Sequence, residues 1–229
     1  MTTPTAVVER PIATFLPSPF LGPAVWEPVA QRLRSHGWRT HVADTAGTSP
    51  AEVLDRCEAS LPDDDLLVLV PHSNAGLYVP AIAAAGPLAG TVFVDAALPP
   101  ASGTAPLVPP ALREQLRELA DADGLLPPWP SWWPREEVRR LLPDDDTLDR
   151  LRAEAPRLPV TYVESSVEVP AGWERDRLAY LAFGDTYAAE TRRAEESGWP
   201  TATLPGGHLH MLRDPDDVAT SLAGLLARI

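Results

Sequence analysis

From Pro11 to about Ala96, short apolar runs alternate with segments in which apolar residues return every three or four positions. That alternation predicts parallel strands joined by crossover helices. Pro11-Ile12-Ala13-Thr14-Phe15-Leu16 reads as a strand, broken by Pro17-Ser18-Pro19. Trp26, Val29, Ala30 and Leu33 form a helical stripe that Gly37 ends, and Trp38 to Ala43 is the next strand. Pro50 to Ser60 predicts a short helix with Val53, Leu54 and Cys57 facing inward. Leu66-Leu67-Val68-Leu69-Val70 is apolar without alternation, as a central strand must be when helices cover both its faces. A tight turn over Pro71 to Gly76 leads to an apolar helix, Leu77 to Ala85. Gly90-Thr91-Val92-Phe93-Val94-Asp95 reads as another buried strand.

Beyond Ala96 the pattern changes. Prolines crowd together, Trp129, Trp132 and Trp133 cluster, and charged helical segments appear at Pro110–Ala122 and Arg135–Ala155, the second broken at Pro143. Residues 97–159 therefore read as a lid inserted over one end of the sheet. The sheet is expected to resume with Val160-Thr161-Tyr162-Val163 and Leu178–Phe183. A helix from Tyr187 to Ser197, a last strand Thr201–Leu204 and a closing helix Asp214–Ile229 follow. The fold class is α/β: a doubly wound, mostly parallel sheet with a small helical lid. With 229 residues, one domain over 1–229 is expected.

Composition narrows the chemistry. A formal charge of −13 repels phosphate backbones and anionic membranes, so neither nucleic acid nor a membrane is an expected partner. All 19 basic residues are arginine, which excludes Schiff-base lysine chemistry and a Walker-type phosphate lysine. A lone cysteine, Cys57, cannot form a disulfide within the chain or a cysteine-rich metal site. Met1 to Pro11 lacks the apolar core of a signal segment, and a cytoplasmic location is expected. The acidic runs Asp63–Asp65 and Asp144–Asp146 read as solvated charges, and no metal is expected. The expected partners are a small-molecule substrate and, at most, a second copy of the chain in a homodimer.

Two segments carry candidate chemistry. In Leu69-Val70-Pro71-His72-Ser73-Asn74-Ala75-Gly76-Leu77 a buried strand enters a sharp turn with Ser73 at its apex, and a helix leaves at once. Such a turn lifts a hydroxyl above the strand ends and aims a helix N-terminus at it. Serine is also a favoured helix cap, so the segment alone leaves both roles open. The second segment, Leu204-Pro205-Gly206-Gly207-His208-Leu209-His210, delivers a histidine directly after the last strand. His208 is the better base for Ser73, and His210 is a second candidate or a pocket residue. His72 receives no role from the sequence.

With these residues in place, the chain resembles the α/β-hydrolase superfamily over nearly its whole length. The likeness is strongest to small esterases of the methylesterase and hydroxynitrile-lyase type, which share the loop ending in Trp26 and the Val92–Pro99 strand and turn. The resemblance implies a serine–acid–histidine triad without a cofactor. Its acid is expected in the loop after the penultimate strand, at Asp185, with Asp95 as an alternative location. It also implies two N–H donors for an oxyanion. Asn74 supplies one. The other should come from the loop after the first strand, where relatives carry His-Gly and this chain has Pro17-Ser18-Pro19. Proline has no N–H, and losing such a donor costs roughly 3–4 kcal/mol. Phe20 N–H, the Ser18 hydroxyl or nothing takes its place.

Three readings follow. The first is a serine hydrolase on a small, largely apolar ester, thioester or lactone. The second is a lyase, cyclase or isomerase of a specialised metabolite that keeps the serine and histidine without acyl chemistry. The third is a non-catalytic binding homologue. Trp129, Trp132 and Trp133, with Trp173, Tyr78, Phe20 and Leu21 as further candidates, would make the pocket apolar.

Overall fold

A computed structural model describes residues 10–63 and 65–229; the segment before Arg10, read for a signal core, and Asp64 of the first acidic run lie outside the described residues. Eight strands occur among the described residues: β1 (Ile12–Leu16), β2 (Thr40–Val42), β3 (Leu67–Ser73), β4 (Leu88–Ala96), β5 (Gly103–Pro106), β6 (Ser166–Val169), β7 (Leu178–Phe183) and β8 (Thr201–Leu204). Six of them form one parallel sheet in the order β2-β1-β3-β4-β7-β8. The order reverses between β1 and β3, so the loops that leave those two strands diverge and open a crevice at their carboxyl ends. That crevice is where the Pro17–Phe20 loop and Ser73 lie.

Ten α-helices accompany the strands among the described residues: α1 (Glu27–Ser35), α2 (Pro50–Ser60), α3 (Val79–Ala85), α4 (Pro110–Leu119), α5 (Arg135–Arg140), α6 (Asp145–Glu154), α7 (Val160–Glu164), α8 (Ala188–Glu196), α9 (His210–Arg213) and α10 (Pro215–Leu226). Every residue of β1, β3 and β7 is buried, in keeping with their unbroken apolar character. Successive side chains go to opposite faces of the sheet. Val68, Val70, Val92 and Val94 join Val29 and Leu33 of α1 and Leu222 of α10. Leu69 and Phe93 join Val53 of α2, Ile82 of α3 and Ala194 of α8. The periodicity therefore places both core layers correctly.

Two differences concern the segment between β4 and β7. Val160-Thr161-Tyr162-Val163, expected as a strand, is the helix α7. β-branched residues favour strands only weakly. Here Pro159 stands in extended conformation at the helix start, and Tyr162 and Val163 turn together into the core. The central sheet accordingly resumes only at Leu178. The second difference is the antiparallel ribbon of β5 and β6, pairing Gly103 with Val169 and Pro106 with Ser166. Four residues containing a proline give no strand signal of their own.

Candidate active site

The site begins with a strained residue. Ser73 ends β3 at φ 57° and ψ −127°, a conformation rare for residues other than glycine. The turn is tight because the following segment packs onto the end of β4: a Cβ on Gly76 would collide with the carbonyl oxygen of Ala97. This explains the small residues after the serine.

After β8, the Gly206-Gly207 turn brings His208 to the same point. Gly206 lies against the imidazole of His210, which a Cβ there would strike, and Gly207 lies against the tip of the Leu141 side chain. His208 Nε2 is 3.0 Å from Ser73 Oγ, and its Nδ1 is 2.6 Å from Asp95 Oδ2. Asp95 is fully buried at the end of β4, in the positive-φ region at φ 41°. Its Oδ1 accepts the Phe183 N–H at 3.1 Å. Tyr180 holds the next peptide in place; its hydroxyl donates to Ala96 O at 2.7 Å and accepts from Ala96 N at 3.0 Å. With Nδ1–H donated to Asp95, Nε2 carries a lone pair and accepts the Ser73 proton.

The expectation for the acid is corrected. Asp185 is exposed on the turn after β7, while Asp95 meets the imidazole. Gly184, at φ 64°, turns the chain directly after Phe183, which leaves Asp185 facing solvent and brings Tyr187 to the site instead. The alternative location read from the sequence is thus the one that lies within bonding distance of His208.

His72 lies beneath the pair. Its ring stacks on His208 at 4.5 Å, and its Nε2–H donates to the His208 carbonyl at 3.0 Å. Complete burial holds its pKa well below the ordinary histidine value, with His208 acting in the same direction, so the ring is neutral. His210, the second candidate base, packs under the glycine turn 5.5 Å from the Phe183 ring and 4.0 Å from an Asp217 carboxylate oxygen.

The groups expected to hold a substrate oxygen are arranged unevenly. Asn74 opens a 3-10 turn, so its N–H has no intrahelical partner. The Asn74 side chain is buried and tied to the segment between β4 and β7; Nδ2 donates to Leu107 O at 2.7 Å and Oδ1 accepts from Tyr162 OH at 3.2 Å. A 2.7 Å hydrogen bond then joins Tyr162 to Tyr78. Ser18 is fully buried, and its Oγ accepts from Phe20 N at 3.4 Å. The Phe20 N–H is therefore turned toward Ser18. The Phe20 ring packs edge-on against Trp132 at 5.0 Å and against Tyr162 at 5.5 Å.

Above Ser73 lies a cavity of about 860 Å³, large enough for a drug-sized molecule. Trp129, Trp132 and Trp133 all line it, together with Phe20, Leu77 and Leu107. Trp173 does not; its indole donates to Pro100 O at 2.9 Å and packs on Phe93 and Trp199. Neither Tyr78 nor Leu21 is on the wall. Glu137 and Glu190 are part of the lining, and no arginine is among the described residues that form it.

Tyr187 was not singled out from the sequence. Its hydroxyl stands 3.4 Å from Ser73 Oγ and its ring centre 5.6 Å from that of His208. Burial pushes its phenol up to about 12, so it is protonated at neutral pH. The one available signal was its place just beyond the carboxyl end of a sheet strand, where α/β folds gather site residues. Among the described residues no group of three or more metal-ligating side chains converges, and no helix is long and apolar enough to cross a membrane.

The parallel sheet, the strained serine turn and the histidine loop after the last strand together have the α/β-hydrolase fold. No protein-family model and no curated protein sequence matches the chain. Solved structures do match. An extracellular α/β-hydrolase from a Paenibacillus species, described as sharing structural and functional homology with tobacco salicylic acid binding protein 2, superposes with a TM-score of 0.73 at 16% identity; 93% of this chain and 98% of that one are covered. Tomato methylketone synthase I with bound 2-tridecanone gives 0.71 at 15% identity, covering 96% and 99%. Polyneuridine aldehyde esterase gives 0.67 at 16%, covering 95% and 99%.

Proposed function

We propose that this protein is a serine hydrolase that cleaves a small, largely apolar ester, thioester or lactone through an acyl-enzyme on Ser73. The reading is carried by one arrangement: Ser73, His208 and Asp95 in hydrogen-bonded sequence at the floor of an aromatic cavity. His208 Nε2 takes the Ser73 proton as Oγ bonds to the acyl carbon. The carbonyl electron pair moves onto oxygen, facing the Asn74 N–H. The bond to the leaving group then breaks, and His208 returns the proton to it. Water, deprotonated by the same imidazole, attacks the acyl carbon; the acyl–Oγ bond breaks, His208 returns the proton to Ser73 Oγ, and the carboxylic acid leaves. Asp95 keeps Nδ1 protonated and stabilises the imidazolium.

Residues 97–159 act as the lid of this site. The reaction needs no cofactor, because nucleophile, base and acid all come from the chain. The lone, buried Cys57 supports a reducing, cytoplasmic setting.

A second reading is favoured by one observation: Pro19 lacks an N–H and the Phe20 N–H faces Ser18 Oγ. Without a full oxyanion hole, Ser73 and His208 would relay a proton in a lyase or isomerase. A fluorophosphonate probe with short-chain aryl esters decides between them. Labelling that disappears in Ser73→Ala, with loss of ester turnover, supports the hydrolase. An unlabelled Ser73 with no ester turnover sinks it.

A further inference from the structure

We propose that the Tyr187 hydroxyl is the second donor to the tetrahedral oxyanion, taking the role that Pro19, without an N–H, does not perform; the inference rests on the serine-hydrolase reading. The proton inventory of the site sets the direction of its bond. His208 Nδ1–H is committed to Asp95, so Ser73 gives its only proton to Nε2. The 3.4 Å contact between Tyr187 and Ser73 is then a phenol O–H donating to a serine lone pair. Burial keeps that phenol protonated at neutral pH.

The competing backbone donor is turned aside. Phe20 N–H faces the Oγ of Ser18, which is fully buried and off the cavity wall. Tyr187 by contrast lines the cavity, with its hydroxyl 3.4 Å from Ser73 Oγ.

When Oγ bonds to the acyl carbon, negative charge develops on the carbonyl oxygen, two bonds from Oγ. The Tyr187 O–H rotates about its C–O bond and passes its hydrogen bond from Oγ to that oxygen. Asn74 N–H supplies the other. As the intermediate collapses, the C=O bond re-forms and the leaving-group bond breaks. His208 protonates the departing atom, and the phenol keeps its own proton throughout. A bond that is long in the resting enzyme and short in the transition state raises kcat and leaves KM unchanged.

Tyr187→Phe retains the ring packed on His208 and removes only the donor. On both a p-nitrophenyl butyrate and an ethyl butyrate substrate, kcat should fall about 100-fold with KM unchanged. Affinity for a trifluoromethyl ketone should fall in parallel. Unchanged kcat overturns the proposal, as does a loss confined to the ethyl ester, which would assign the phenol to the leaving group. Difluorotyrosine at position 187 gives a second test, because it keeps the donor and lowers its pKa. It should introduce a new loss of kcat at alkaline pH, and an unaltered profile counts against the assignment. A wild-type Ser73 that no fluorophosphonate labels would instead show that the hydrolase reading, and this inference with it, fails.

Discussion

Asp95 Oδ2 and His208 Nδ1 lie 2.6 Å apart and connect the end of β4 to the loop after β8, across the intervening strand β7. The same carboxylate accepts the backbone N–H of Phe183, at the end of β7, so three parts of the sheet edge meet on one side chain. Asp95→Asn should keep this geometry while losing the acceptor that selects the imidazole tautomer. We expect kcat on a short-chain ester to fall by about 10⁴-fold. Asp185→Asn, on an exposed turn, should leave kcat near that of the wild type. Equal losses in the two variants would reject the assignment of the acid.

His72 makes stability depend on pH. Its pKa is depressed in the folded state by burial, below an unfolded value of about 6.5. Above that value both states are neutral and the stability is fully present. As pH falls below it, the unfolded chain takes up a proton that the folded ring refuses, and stability declines. For one such group the slope approaches about 1.4 kcal/mol per pH unit. His41, lowered by partial burial, acts in the same direction. Urea unfolding of wild type and His72→Gln at pH 7.5 and 5.5 should therefore give a smaller acid loss in the variant. Identical losses would show that His72 does not supply the dependence.

The chain of Tyr78, Tyr162 and Asn74 ties the segment between β4 and β7 to the residue after Ser73. Tyr162→Phe strips a buried partner from both Asn74 Oδ1 and the Tyr78 hydroxyl. An unsatisfied buried group costs about 1–3 kcal/mol, and for a domain of this size that lowers Tm by roughly 2–4 °C per kcal/mol. Calorimetry of the variant measures this directly, and an unshifted transition would mean that the network adds nothing.

Charge on the cavity wall should select substrates. Glu137 and Glu190 face the cavity, and no described arginine balances them there. A neutral aryl ester should be turned over faster than the same ester bearing a carboxylate on its acyl chain. Like charges at an open mouth are worth about 1 kcal/mol, so the ratio should be roughly fivefold and should shrink in Glu190→Gln. Comparable kcat/KM for both esters in the wild type would refute the selection.

Much of the fold was legible because burial on both faces of a parallel strand leaves a signature in composition. Leu67 to Val70 and Thr91 to Val94 carry it, and the sheet confirms their place beside each other. Ser73 and His208 were legible for a related reason. A sharp strand-to-helix turn tolerates only small neighbours, and in the turn before His208 a Cβ on Gly206 would strike the His210 ring. The segment between β4 and β7 was less readable. Val160 to Val163 has the residue types of a strand, but the partners of Tyr162 are Tyr78 and Asn74, far away along the chain, and they hold it as a helix.

Local chemistry by itself thus determined the strand and helix periods, the apolar character of the pocket residues and the identity of a serine and a histidine at strand ends. Only the three-dimensional arrangement decided that Asp95 and not Asp185 reaches the imidazole, and that Tyr187 stands over the serine. Both outcomes depend on which strands become neighbours and on how one glycine turns the chain after β7. A side chain's reach is measured through space, and residue spacing along the chain does not record it.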